Sequence, residues 1–141
     1  MTRTEGMRLQ LTRRGDYAIR AMLLLARQPQ EVLSGAEIAH QTGIPERLVT
    51  QVMGQLVRAQ LVHARLGRHG GYWVDDQGDQ IGILTIVEAV EGDARRWRCV
   101  LSGAPCDAEH RCQVHDIFAA AQDALIGRLA ESSLASAIAH R

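Results

Sequence analysis

The chain has 141 residues, enough for one domain with its own hydrophobic core, and an apolar fraction of 46% excludes a disordered chain. No uninterrupted apolar run approaches the roughly 20 residues that span a bilayer. The opening Met1–Gly6 lacks the basic-then-apolar order of a secretory signal, so a cytoplasmic protein is expected. Sixteen basic and sixteen acidic residues cancel, which excludes a uniformly basic nucleic-acid coat. The charge is divided, however. Residues 1–74 hold ten Arg and five acids, net +5, whereas residues 75–141 hold six Arg and eleven acids, net −5. Two regions with two tasks are expected, one over 1–74 and one over 75–141.

From Tyr17 to Ala26 only Arg20 is charged, which predicts a helix buried nearly all round and ended by Pro29. Ser34 followed by Glu37 has capping-box spacing and opens a short helix. Thr42-Gly43-Ile44-Pro45 breaks it, with Gly43 suited to the turn and Pro45 to the first turn of the next helix. That helix carries an apolar stripe of Leu48, Val52 and Leu56, with Arg47, Thr50, Gln51 and Gln55 on the other face. The pair reads as a helix-turn-helix. Two β-prone runs, Leu61–Arg65 and Tyr72–Val74, flank the glycine-rich Leu66–Gly71 and predict a hairpin wing. The expected fold class is therefore mainly α with a small β-hairpin, a winged helix-turn-helix. Ile83–Glu91 predicts a helix ended by Gly92, and residues 93–111 read as a loop. From Gln113 onward, Val114, Phe118, Ala121, Leu125 and Leu129 form one apolar stripe, widened by Ile117, Ala120 and Ala124. So broad a face on a long C-terminal helix suggests dimerisation. Ser132-Ser133 restart a short helix with Leu134, Ala137 and Ile138.

Arg pairs with guanine, Gln with adenine, and Thr contacts a thymine methyl. Arg47, Thr50 and Gln51 near the start of the second helix are therefore candidate base readers, with Gln55 and Arg58 further along for phosphate. Arg65, Arg68 and His69 in the wing would meet the minor groove or the backbone, and Arg13 and Arg14 ahead of the first buried helix add two phosphate candidates. Double-stranded DNA is the implied partner.

The acidic half holds Cys99-x6-Cys106-x5-Cys112-x2-His115. Three thiols make a poor disulfide framework. As ligands they suit soft metals, with His115 a competent fourth, sharing one helix face with Cys112. Zinc sites usually carry a tight C-x2–4-C knuckle, absent here, and the wide spacing suits an iron–sulfur cluster better than one zinc ion. A zinc site and a thiol switch remain alternatives. His40, His63, His110 and His140 have no partners at ligand spacing, and no catalytic triad, phosphate loop or dinucleotide fingerprint occurs. An enzyme, for instance a small iron–sulfur redox protein, is the weaker reading.

Three features together resemble the Rrf-two type of bacterial winged-helix regulators, over about Leu9 to Ala139: Leu11-Thr12-Arg13-Arg14-Gly15-Asp16-Tyr17-Ala18, the run from Ile44 to Gly70-Gly71-Tyr72, and the trio Cys99, Cys106 and Cys112. The resemblance implies a homodimer on pseudo-palindromic promoter DNA, with an iron–sulfur cluster tuning the binding in response to redox, nitric oxide or iron–sulfur status. Members differ in the fourth ligand. Some use a His three residues after the last Cys, where His115 stands, with a 2Fe–2S cluster. Others use an acidic residue of the N-terminal helix, where Asp16 stands, with a 4Fe–4S cluster. His115 is favoured because a local ligand needs no partner chain. The sequence departs from the family's iron–sulfur assembly regulators at Leu66 in the wing, at Thr50 on the recognition helix and in the first cysteine gap.

Overall fold

The structure, a computed structural model, describes residues 11–92 and 112–140. Its described elements run α1 (Arg13–Arg27), α2 (Gly35–Thr42), α3 (Glu46–Arg58), β1 (His63–Arg65), β2 (Gly71–Trp73), α4 (Ile83–Glu91), α5 (His115–Glu131) and α6 (Leu134–Ala139), with a short 3-10 turn at Gly78–Gln80. This is the mainly helical fold with a small antiparallel hairpin that the patterning predicts.

Helix α1 is central and packs against α2, α3, α4 and α6. Ala18, Met22 and Leu25 on α1 share one core with Ile38 of α2, Val52, Met53 and Leu56 of α3, Ile86 and Val90 of α4, and Leu134 of α6. Each fully buried Leu, Ile or Met contributes about 1.5–3 kcal/mol, so this shared core is the main source of stability. Helices from both sides of residue 74 contribute to it. The end of the chain is tied in by backbone: the Ile83 N–H donates to the Ser132 carbonyl at 2.9 Å, and the Leu134 N–H donates to Ile81 at 3.0 Å.

Local chemistry sets the helix ends. Ser34 Oγ accepts from the Glu37 N–H at 3.1 Å, and Glu37 returns the contact to the Ser34 N–H at 2.7 Å, completing the expected capping box. Gly43 closes α2 in the left-handed region at φ 76°. Pro45 sits one position earlier than expected, as the residue before the first helical turn of α3. The buried face of α3 is also rotated from the expected stripe. Val49, Val52, Met53 and Leu56 are buried and Leu48 only half so, because the core wall against α1 is wider than a single i,i+4 row.

β1 and β2 pair in antiparallel register, His63 with Trp73 and Arg65 with Gly71. Tyr72 also exchanges two backbone hydrogen bonds with Leu33, at 2.8 and 3.0 Å, fastening the hairpin to the segment before α2. Gly71, at φ 154°, permits this approach, since a Cβ there would run into the Leu33 carbonyl.

On α5 the expected stripe divides between two faces. Ile126 is buried and Val114, Phe118 and Leu129 are half-buried, whereas Ala121 and Leu125 face outward with Ile117, Ala120 and Ala124. Ile117 is 68% and Leu125 44% exposed. No described helix is long and apolar enough to cross a membrane.

Candidate nucleic-acid interface and cysteine site

Helix α3 presents Arg47, Thr50, Gln51 and Arg58 exposed on the side away from the core. The start of α1 comes alongside, so that Arg14, Thr50, Gln51, Gly54, Gln55 and Arg58 line one open cleft. The lining combines two cations, a hydroxyl and two amides, groups that can meet phosphates and base edges. Gln55 departs from the expected outward position. It is half-buried, and its Oε1 is enclosed without a hydrogen-bond partner among the described residues. Thr50 Oγ1 bonds back to the Glu46 carbonyl at 3.4 Å. Between Arg47 and Val74 the sequence has four Arg and no Asp or Glu, and the carboxylates of this region stand at its two ends, Glu46 in the first turn of α3 and Asp75 beside His63.

The wing is internally braced. His63 stacks on Trp73 with ring centroids 5.4 Å apart and meets Asp75 Oδ2 at 2.9 Å. The Arg65 guanidinium lies 5.8 Å from the Trp73 ring centre and donates to the His69 carbonyl at 3.1 Å. Arg65 therefore holds the hairpin as well as contributing charge, while Arg68 and His69 are exposed at the tip.

The start of α1 is capped from afar. Thr12 Oγ1 accepts from the Gly15 N–H at 3.3 Å, while both the N–H and the hydroxyl of Thr12 donate to Glu91 Oε1, the former at 2.9 Å. A carboxylate at a helix N-terminus opposes the positive end of the helix dipole. Gly15 lies directly under it, and a Cβ there would displace the Glu91 carboxylate from its present position. Arg13 and Arg14 project from this capped turn, exposed.

Of the cysteine set, Cys99 and Cys106 lie outside the described residues. Cys112 and His115 are half-buried in one turn, with the His115 N–H donating to the Cys112 carbonyl at 3.0 Å. Cys112 precedes α5 rather than opening it. Asp16, the alternative fourth ligand, is held on α1 by Arg20 through two hydrogen bonds at 2.8 and 2.9 Å. Among the described residues no three potential metal ligands converge.

Residues 11–140 match the Rrf2 family, described as an iron-dependent transcriptional regulator. The chain belongs to this family. It is 29% identical over 123 residues to the HTH-type transcriptional repressor NsrR of Streptomyces coelicolor, covering 86% of this chain and 82% of that one. It is 29% identical over 127 residues to the HTH-type transcriptional regulator IscR of Photorhabdus laumondii, covering 89% and 77%. Its fold is similar to that of CymR, the global cysteine regulator of B. subtilis, with a TM-score of 0.76 at 21% identity over 95% of this chain and 99% of that one. T. potens IscR superposes with a TM-score of 0.72 at 22% identity, over 93% and 87%.

The protein is thus an Rrf2-family transcriptional regulator and DNA-binding protein, not an enzyme. Three residues of this Rrf2 chain gained roles that spacing did not suggest. Trp73 and Asp75 hold the wing, and Glu91 caps α1 from 79 positions away. Trp73 was visible in the sequence only as part of the β-prone run Tyr72–Val74, and its pairing with His63 comes from the strand register. Nothing local pointed to Glu91.

Proposed function

We propose that this Rrf2 regulator binds double-stranded promoter DNA as a homodimer, and that an iron–sulfur cluster held by its cysteines tunes the binding. The observation that carries the DNA reading is the cleft shared by α1 and α3, lined by Arg14, Thr50, Gln51 and Arg58. Arg47, Thr50 and Gln51 read bases in the major groove. Arg13, Arg14, Gln55 and Arg58 hold phosphate, and Arg65, Arg68 and His69 place the wing against the minor groove. The outward Ile117, Ala120, Ala121, Ala124 and Leu125 of α5 support dimerisation through a second copy. Two copies would set their α3 helices about one helical turn of DNA apart.

The donor set fits such a cluster in kind: three thiols with an imidazole or a carboxylate. Cys99, Cys106, Cys112 and His115 would hold it. His115 is preferred because it lies in one turn with Cys112, whereas Asp16 would first have to leave Arg20. With His115 a 2Fe–2S cluster is favoured, with Asp16 a 4Fe–4S one. Bound there, such a cluster would supply iron that reacts with oxidants or nitric oxide.

The chain's own residues provide the coupling. The cysteine segment is entered from Glu91 and Gly92 and left at Cys112. A displacement at its near end is delivered through Glu91 to Thr12 and the turn bearing Arg13 and Arg14. A displacement at its far end is delivered to α5 and so to the spacing of two recognition helices. A basic DNA-reading region over 1–74 and an acidic sensing region over 75–141 are in keeping with this arrangement.

Anaerobic purification followed by an absorption spectrum with iron and sulfide assays tests the proposal. Visible charge-transfer bands with stoichiometric iron and sulfide are expected. A colourless, iron-free protein would remove the cluster, and zinc without sulfide would replace it with a zinc site.

A further inference from the structure

Leu66 is 98% exposed, the most exposed large apolar side chain among the described residues. A single exposed leucine ordinarily calls for no explanation. This one stands at the tip of a hairpin that is built to hold it out. The Gly70 N–H donates to the Gly67 carbonyl at 3.0 Å, and Arg65 donates across the tip to the His69 carbonyl at 3.1 Å. Gly67 takes φ 104°, and a Cβ at Gly70 would run into the Arg65 carbonyl, so the five-residue tip closes tightly on itself. Arg65 is held at its base by Trp73, which is stacked in turn on His63.

The surroundings are cationic. Arg65 precedes Leu66 and Arg68 and His69 follow it, within a stretch from Arg47 to Val74 that has no carboxylate. The complementary surface is a polyanion that also offers apolar area. Duplex DNA has both, because its bases expose flat apolar faces wherever a step is opened. The minor groove, about 6 Å wide, admits a hairpin tip, and apolar side chains that enter it unstack a step and kink the duplex.

We propose that Leu66 is an apolar wedge that the wing inserts at a base step in the minor groove, with Arg68 and His69 on the flanking phosphates. This rests on the DNA reading above and adds an unstacked step. It also implies a preference for flexible pyrimidine–purine steps under the wing, read without any hydrogen bond to a base.

The test uses the full chain and the duplex it selects from a random-sequence pool. 2-Aminopurine is placed in turn at each step flanking the recognition-helix contacts, and donor and acceptor dyes at the duplex ends report bending. The wild-type chain is expected to raise 2-aminopurine fluorescence at one step per half-site and to shorten the end-to-end distance. Leu66→Ala should abolish both signals and weaken binding roughly ten-fold, while leaving the salt dependence and the thermal unfolding midpoint unchanged. Leu66→Met should retain both signals, and Arg68→Ala should lower the salt slope by about one while retaining the unstacking.

Leu66→Ala binding and unstacking like the wild type would overturn the wedge while leaving the DNA reading standing. So would wild-type self-association that Leu66→Ala abolishes, since Leu66 would then be a protein contact. A wild-type chain with no salt-sensitive affinity for any selected duplex would remove both.

Discussion

Removing the contact between Glu91 and Thr12 should loosen the turn that carries Arg13 and Arg14 without unfolding the domain. Thr12 is the N-cap of α1, and its loss to alanine costs about 1 kcal/mol. Glu91→Ala removes the acceptor of both Thr12 donors and a negative charge from the helix N-terminus. The contact is solvent-exposed, so its loss costs about 0.5–1 kcal/mol. Because the two residues share the same hydrogen bonds, the double variant should cost less than the sum of the singles by about 0.5 kcal/mol or more. For a chain of this length each kcal/mol lowers the unfolding midpoint by about 3 °C, and chemical denaturation monitored by circular dichroism resolves the cycle. The same variants should weaken DNA binding, since Arg13 and Arg14 would lose their fixed position. Additivity within about 0.3 kcal/mol, or full DNA affinity in Glu91→Ala, would show that Glu91 does not hold the start of α1.

Arg47→Ala should reduce specific DNA binding by about 1–3 kcal/mol and relax the base preference at one position, measured by anisotropy on matched and mismatched duplexes. Arg14→Ala and Arg58→Ala should each weaken binding across all sequences and lower the slope of log affinity against log salt by about one; an unchanged slope would take either residue off the phosphate backbone. Gly71→Ala puts a Cβ against the Leu33 carbonyl and should destabilise the chain by about 1–3 kcal/mol in thermal unfolding, whereas an unaltered midpoint would mean the wing is not fastened to Leu33. Ile117→Asp, on the outward face of α5, should convert a dimer to monomer by light scattering while helicity is kept, and a persisting dimer would place the interface elsewhere.

The parts of the fold that were legible in the sequence are those fixed by nearby residues. The Ser34–Glu37 capping box, the Gly43 turn, the Ile83–Glu91 helix ended by Gly92, and the Ser133 start of α6 each depend on chemistry within a few positions. Periodicity erred where apolar residues are too many to choose among. On α3 the buried set shifted to include Val49 and Met53, because Leu48 and Val49 both fit a helical stripe. On α5 the single stripe through Ala121 and Leu125 proved to be two faces, because alanines suit either and only the packing partner decides.

Contacts between distant segments were not legible. Leu33 meets Tyr72, and Glu91 meets Thr12, through backbone and carboxylate groups that leave no periodic trace. The exposure of Arg47, Thr50, Gln51 and Arg58 was legible, since an amphipathic helix after a glycine turn exposes its polar side chains. The half-burial of Gln55 was not, because it depends on how closely α1 approaches α3. Cysteine spacing pointed to a soft-metal site, but not to the Arg20 that holds the competing ligand Asp16.

DNA affinity before and after anaerobic removal of iron from the 141-residue chain tests the coupling of the two regions most directly. A change of about ten-fold or more, equivalent to roughly 1.4 kcal/mol, and its loss in Cys112→Ser, are the predicted results. Identical affinities with and without iron would contradict a regulator whose cysteine site governs its hold on DNA.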